Sequence, residues 1–322
     1  QPACRLRRPA NEVDAWDIDI FYEEKPYAVR EITDWRVSEE GPLRGAISIT
    51  RRLGASTITQ HIRMWRDSRR IDFVTEVDWH ERQMLLRALF PLDINATRAT
   101  CEIQFGAVER PTHRNTSWDW ARFEVCAQRW VDLGEGDYGV ALLNDSKYGH
   151  KVKGHTLDLN LLRSVPHPGS VVAGEPAPGE PDDRITDQCD HQFTYALFPH
   201  AGDHIAGGVI QAAYALNAPL LAIPAGAQGG SLPASASLLT VDAPNVIVEA
   251  VKRAEDGGDL VVRLYEAEGR GASARVQFGP PLRAAAEATL LEEAQAALDV
   301  SENGVALQFR PFEIKTLRLT VE

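Results

Sequence analysis

Cysteine is scarce in this chain. Four of 322 residues carry a thiol, placed as Cys4, Cys101, Cys126 and Cys189, with no CxxC pair and no metal-ligand spacing. That distribution gives no zinc-ribbon spacing, and in a chain of this size the thiols need not be bridged, so a reducing cytoplasm is the expected compartment. No apolar run reaches membrane length and no signal peptide is visible, so a membrane is not an expected partner. Positive charge is short as well: 34 Lys and Arg stand against 46 Asp and Glu, a formal net charge of −12. Basic residues bunch at Arg51-Arg52 and from Arg63 to Arg70, but Asp67, Asp72 and Glu76 interleave with them. This is the pattern of a solvated strand face, and nucleic acid, which demands clustered Lys and Arg, is excluded as a partner. Internal repeats are absent, and the first 220 residues hold no convincing long amphipathic helix.

What the chain has in quantity is short strands. Ala46–Arg52, Thr57–Trp65 and Arg70–His80 are rich in β-branched residues and separated by Gly54-Ala55-Ser56 and Asp67-Ser68-Arg69. Arg87–Leu92 and Thr100–Phe105 continue the series, and alternation around Asp17–Ile20 predicts a strand over Asp14–Tyr22. Pro- and Gly-rich residues from Pro166 to Asp183 read as an excursion loop. The small-residue run Ala218–Ser237, with Ala212–Leu216 before it, reads as a junction. Beyond it, strands are expected at Asn245–Lys252, Asp259–Ala267, Ala274–Phe278, Ala286–Leu291, Gly304–Arg310 and Glu313–Thr320, with helical turns at Glu292–Leu298. The expected fold is all-β: a large antiparallel β-sandwich over residues 1–237 and a smaller C-terminal β-sandwich over 238–322.

The stretch Arg110–His150 is the most informative. It holds three of the seven tryptophans and a turn, Gly134–Gly139, between strand-like segments. It then delivers Asn144-Asp145-Ser146-Lys147-Tyr148-Gly149 to a loop. Aromatic faces beside amide, carboxylate and ammonium groups suit a sugar, ring against C–H and polar group against hydroxyl. The substrate-binding candidates are therefore Asn144, Asp145, Lys147 and Tyr148, followed by Trp118 and Trp16. The competing structural reading is a tryptophan core with an ordinary solvated loop. The turn formally fits GxGxxG, yet a strand follows it where a dinucleotide loop requires a helix, so it is read as a hairpin.

Five segments in order resemble the C-terminal region of the family 38 glycoside hydrolases, the α-mannosidases, in the branch with cytosolic, vacuolar and bacterial members. They are DAWDIDIFYEEK (Asp14–Lys25), RPTHRNTSWDWARFEVCAQRWVDL (Arg110–Leu133), GVALLNDSKYGH (Gly139–His150), HQFTYALFPHAGD (His191–Asp203) and PFEIKTLRL (Pro311–Leu319). The resemblance implies a large sandwich related in shape to galactose mutarotase. It also implies that the nucleophile, the acid/base and the zinc ligands belong to an N-terminal catalytic domain outside this sequence. The starting Gln1 and the early first motif likewise suggest a piece of a longer protein.

On that reading no catalytic residue and no metal ligand is expected here, zinc being a cofactor of the catalytic domain alone. The chain itself should act as scaffold and contributor to mannoside or oligosaccharide subsites. It should carry an apolar face for the catalytic domain, unless it forms a homo-oligomer. His200 and His204, at i and i+4 behind Pro199, fit a loop better than a metal-binding helix. The alternatives are a free-standing carbohydrate-binding sandwich and a mutarotase-like enzyme in which His61, His80 or His191 faces a carboxylate.

Overall fold

The computed structural model describes residues 2–5, 18, 20–165, 185–226, 229–231 and 233–321, with side chains from residue 18 onward. Trp16 and the Pro166–Asp183 segment lie outside the described residues. By contacts the chain divides into two compact units, Gln1–Glu102 with Val108–Pro219, and Ile103–Ala107 with Leu220–Glu322.

In chain order the first strands are β1 (Pro2–Arg5), β2 (Pro26–Ala28), β3 (Ile32–Glu40), β4 (Arg44–Leu53), β5 (Ser56–Trp65), β6 (Ile71–Asp78) and β7 (Met84–Pro91). There follow β8 (Arg98–Ile103), β9 (Gly106–Pro111), helix α1 (Ser117–Ala121), β10 (Val125–Cys126), β11 (Trp130–Glu135) and β12 (Tyr138–Asn144). Then come β13 (Gly149–Lys153), β14 (Thr156–Ser164), β15 (Asp190–Ala201) and helix α2 (Val209–Asn217). Among the described residues they form a six-stranded sheet, β10-β13-β14-β7-β1-β2, and a nine-stranded sheet, β3-β4-β5-β6-β15-β12-β11-β8-β9. All of the strand pairs are antiparallel.

Period-2 alternation explains the core. Leu86 and Ala88 of β7 and Leu157, Leu159 and Leu161 of β14 meet Ile58, Val77, Val131, Leu133, Val140, Leu142 and Phe193 from the other sheet. Each large side chain removed from water contributes about 1.5–3 kcal/mol. Gln60 is buried within this core, and its amide donates to Tyr195 Oη at 2.6 Å and to Thr75 Oγ1 at 3.2 Å. The nine-stranded sheet is the wider layer, so at β3, β4 and the end of β5 its core-facing side emerges into solvent. Ile32, Trp35, Val37, Ile47 and Met64 are exposed there.

The second unit is a smaller sandwich. Strands β16 (Leu239–Val241), β17 (Val246–Arg253), β18 (Leu260–Glu266), β19 (Ala272–Phe278), β20 (Leu282–Ala288), β21 (Ala294–Leu298), β22 (Gly304–Phe309) and β23 (Ile314–Val321) form sheets β16-β19-β22 and β17-β18-β23-β20-β21. Val276, Val305, Leu307 and Phe309 from the first sheet pack on Val262, Leu264, Leu317 and Leu319 from the second. The all-β expectation holds for both units.

Local readings differ at four places. The segment expected as a strand ends in a 3-10 turn, Ile20–Glu24, because Tyr22 is drawn inward to charged partners described below. Glu292–Leu298 is not helical: Ala294–Leu298 pairs with β20, so tertiary pairing overrides alanine propensity. Helix α2 covers Ala212–Leu216 and buries Val209, Ile210 and Ala213, with contacts to β11, β12 and β15. Helix α1 was also unforeseen, although Thr116 and Asp119 form its capping box.

Candidate functional site

The Asn144–Gly149 loop leaves β12 of the nine-stranded sheet and enters β13 of the six-stranded one, so it closes one end of the sandwich. Its first two residues are committed to the fold. Asn144 is fully buried; its Nδ2 donates to the Gln128 carbonyl at 2.8 Å and its Oδ1 accepts from the Lys147 amide at 2.7 Å. Asp145 accepts from the Thr194 amide at 2.9 Å through Oδ2 and from Ser146 Oγ at 2.9 Å through Oδ1. Lys147 and Tyr148 are presented differently. The Lys147 ammonium lies 4.4 Å from the Phe193 ring centre, and burial pulls its pKa below the ordinary lysine value against the opposing charges of Asp187 and Asp145. Tyr148 is 48% exposed, and Trp118 on α1 is 77% exposed with Trp120 at 53%. The structure therefore separates Asn144 and Asp145, which set the loop, and Lys147, half-buried over Phe193, from Tyr148 and Trp118, which are exposed to solvent.

Beside this loop is a cluster that the sequence reading missed. Arg87, 1% exposed, is gripped from both sides, by Asp158 Oδ1 at 2.6 Å and Glu124 Oε1 at 2.7 Å. Tyr22 Oη donates to Glu124 and accepts from Arg87 Nη1 at 2.8 Å and Lys151 Nζ at 2.7 Å. Lys151 also reaches Glu23 at 3.0 Å and Asp158 at 3.4 Å. Arg114 completes the cluster with 2.7 Å to Glu23. Burial would raise the Glu23 carboxyl, but hydrogen bonds from Arg114 and Lys151 and the lysine charge hold it down at about 2. Burial, followed by the charge of Glu124, pushes the Tyr22 phenol far above its ordinary range in spite of Arg87, so it stays protonated and donates.

The network joins two of the segments that carry the family resemblance and touches the end of a third. Tyr22 and Glu23 come from the first, Arg114 and Glu124 from the second, and Lys151 directly follows the third. Asn160 extends the network to the loop. Its Nδ2 donates to Glu124 Oε2 at 3.1 Å, and a Cβ on Gly149 would stand 2.6 Å from that nitrogen, so a larger residue at the loop's exit would push the Asn160 amide off Glu124. An open cleft lined by Tyr22, Glu23, Pro26, Leu89, Lys151 and Asp158 gives onto the cluster. A sequence signal existed: Arg87 interrupts Met84–Phe90 and Asp158 interrupts Leu157–Leu162, ionisable groups inside otherwise apolar strands.

The histidines fall elsewhere. His200 Nε2 is 2.8 Å from Asp132 Oδ1, and His204 stacks on Trp130 with ring centres 5.2 Å apart. His80 pairs with Asp78 at 2.6 Å on the open surface, and His191 Nε2 lies 2.9 Å from the Asp187 carbonyl. Among the described residues no three His, Cys, Asp or Glu side chains converge as a metal-binding group. The GxGxxG segment is the β11–β12 hairpin, with Gly136 at φ +54°.

Comparison with known proteins covers both units. Residues 4–170 match the glycosyl hydrolases family 38 C-terminal domain, and residues 245–317 match the glycosyl hydrolases family 38 C-terminal beta sandwich domain. The chain is 41% identical over 316 residues to alpha-mannosidase 2C1 of Homo sapiens, covering 96% of this chain and 29% of that protein. It is 37% identical to alpha-mannosidase G of Dictyostelium discoideum, covering 95% and 28% respectively. The chain thus spans less than a third of the length of these relatives. A crystal structure of an alpha-mannosidase from Enterococcus faecalis V583 shares the fold, with TM-score 0.75 over 92% of this chain and 36% of that one, at 20% identity.

Proposed function

Because the chain belongs to glycosyl hydrolases family 38, as a C-terminal region of that family, we propose that it is the β-sandwich support and subsite contributor of a retaining α-mannosidase. The observation that carries this reading is likeness along nearly the whole chain, 96% of it, to an α-mannosidase of which it represents 29%. The catalytic pair, and the zinc of the reaction, belong on this reading to the portion that precedes such a region in the relatives. The described side chains of this chain offer no converging donor set for a metal.

Within the sandwich, Asn144 and Asp145 position the loop, while Lys147, Tyr148 and Trp118 face substrate: the ammonium and phenol for hydroxyls, the indole for a pyranose face. The substrates are terminal α-mannosides of oligosaccharides, and the compartment is the cytoplasm. Cys101, Cys126 and Cys189 as free thiols support the latter, and no helix among the described residues is long and apolar enough to cross a membrane. A second reading, a carbohydrate-binding sandwich that acts alone, draws on the exposure of Trp118 and Trp120.

The test is hydrolysis of p-nitrophenyl α-mannoside by this chain alone and by an α-mannosidase carrying it. Turnover is expected only from the longer protein. There Tyr148→Ala and Lys147→Ala should raise KM about 3–10-fold with kcat nearly unchanged, the mark of lost ground-state binding. Turnover by the chain alone would sink the scaffold reading. Mannoside binding by the chain alone, lost on Trp118→Ala, with no turnover from either protein, would favour the second reading.

A further inference from the structure

The uncovered end of the nine-stranded sheet continues the core surface. The register sets Trp35 beside Ile49, Val37 beside Ile47, Ile47 beside Ile62, and Ile62 beside Phe73, whose ring packs on the core. Met64 lies beside Ile71 on the same side. Trp35 is 67% exposed and Met64 56%. Single exposed apolar residues are ordinary, but a stripe running across three neighbouring strands on the side that elsewhere forms the core marks a covered surface.

We propose that this stripe on β3, β4 and β5 is the seat of the catalytic portion of the mannosidase, a proposal that rests on the function assigned above. Two observations select that occupant over a second copy. Edge pairing between copies is opposed by β3 itself, which carries Asp34, Arg36, Glu39 and Glu40 and two register shifts, so the cover lies over the face and not along the edge. Finally, roughly seven-tenths of each relative lies outside the matched region. The matched domains are C-terminal by description, so in those proteins the remainder is tethered ahead of β3. Tethering supplies high effective concentration, and a modest apolar patch then suffices.

Hydroxyl-radical footprinting reads Trp35 and Met64 individually. Both should label strongly in this chain alone and about tenfold less in an α-mannosidase carrying it, as expected for side chains moved from solvent into a packed contact. Trp35→Glu with Val37→Lys should restore Met64 labelling and lower the melting temperature of the longer protein, leaving that of this chain unchanged because both positions are exposed. Equal labelling in the two proteins would overturn the proposal, and so would a dimer of this chain that protects Trp35 and dissociates with the double substitution. A longer protein that hydrolyses mannosides with Trp35 still labelled removes the docking surface alone. One that protects Trp35 without hydrolysing mannosides removes the functional reading alone.

Discussion

On one face of the six-stranded sheet Leu86, Ala88, Leu157 and Leu159 bury hydrocarbon; on the other, Arg87, Asp158 and Asn160, interleaved with them on the same strands, bury charge and amide. The apolar face is non-directional. Any well-shaped side chain that excludes water would serve, and loss scales with the volume removed. The charged face depends on partners: desolvation nearly cancels the attraction between its ions, so the intact network adds little net stability, while a broken one leaves a charge stranded. We read its role as selecting one seating of the Ile20–Glu24 turn and of Glu124 against the sheet.

Four substitutions sharpen that contrast. Arg87→Met should cost about 3–5 kcal/mol, read as a lower urea midpoint, because Glu124 and Asp158 lose their shared cation. Adding Glu124→Leu and Asp158→Leu should recover most of it, and a triple variant no more stable than the single one would show that the ions are needed for stability itself. Leu157→Ala on the dry face should cost about 3 kcal/mol, with no neighbouring substitution that restores it by charge alone.

The dry face also holds His150, beside Leu159 in register. Burial lowers its pKa to about 3 from 6.5, so below pH 6.5 the unfolded chain takes up a proton that the native chain refuses. Stability contributed above pH 6.5 is lost as the pH falls, by about 2 kcal/mol at pH 5. Denaturant titrations of His150→Leu should lack that part of the slope between pH 6.5 and 5; an unchanged slope would place the proton uptake elsewhere. Smallest in the series is Tyr22→Phe, expected to cost about 1–2 kcal/mol through the hydrogen bonds left unmade at Glu124 and Lys151.

How much of this was legible follows from the same alternation. The spans predicted for β4, β5 and β6 agree with the observed strands to within two residues at each end, because β-branched runs between Gly54 and Asp67 turns leave little choice. The strand predicted at Asp14–Tyr22 failed where Tyr22 answers to Arg87, 65 positions away. Of the candidate site, the loop residues were found as a group, but sequence alone could not separate Asn144, whose amide is spent on Gln128 and Lys147, from Tyr148, which faces solvent. The ionic cluster was invisible as a unit, since its members are scattered from Tyr22 to Asn160 and only sheet pairing collects them.

His200 illustrates a different kind of dependence. Its imidazole, paired with Asp132, is wedged between Gly139 and Gly207, where a Cβ at either position would come to 2.4 Å from a ring atom. A larger residue at either glycine crowds the ring unless the histidine is replaced, and Asp132 loses its partner when it is. The four positions are therefore coupled, and substitutions at the glycines and at His200 should be non-additive in stability.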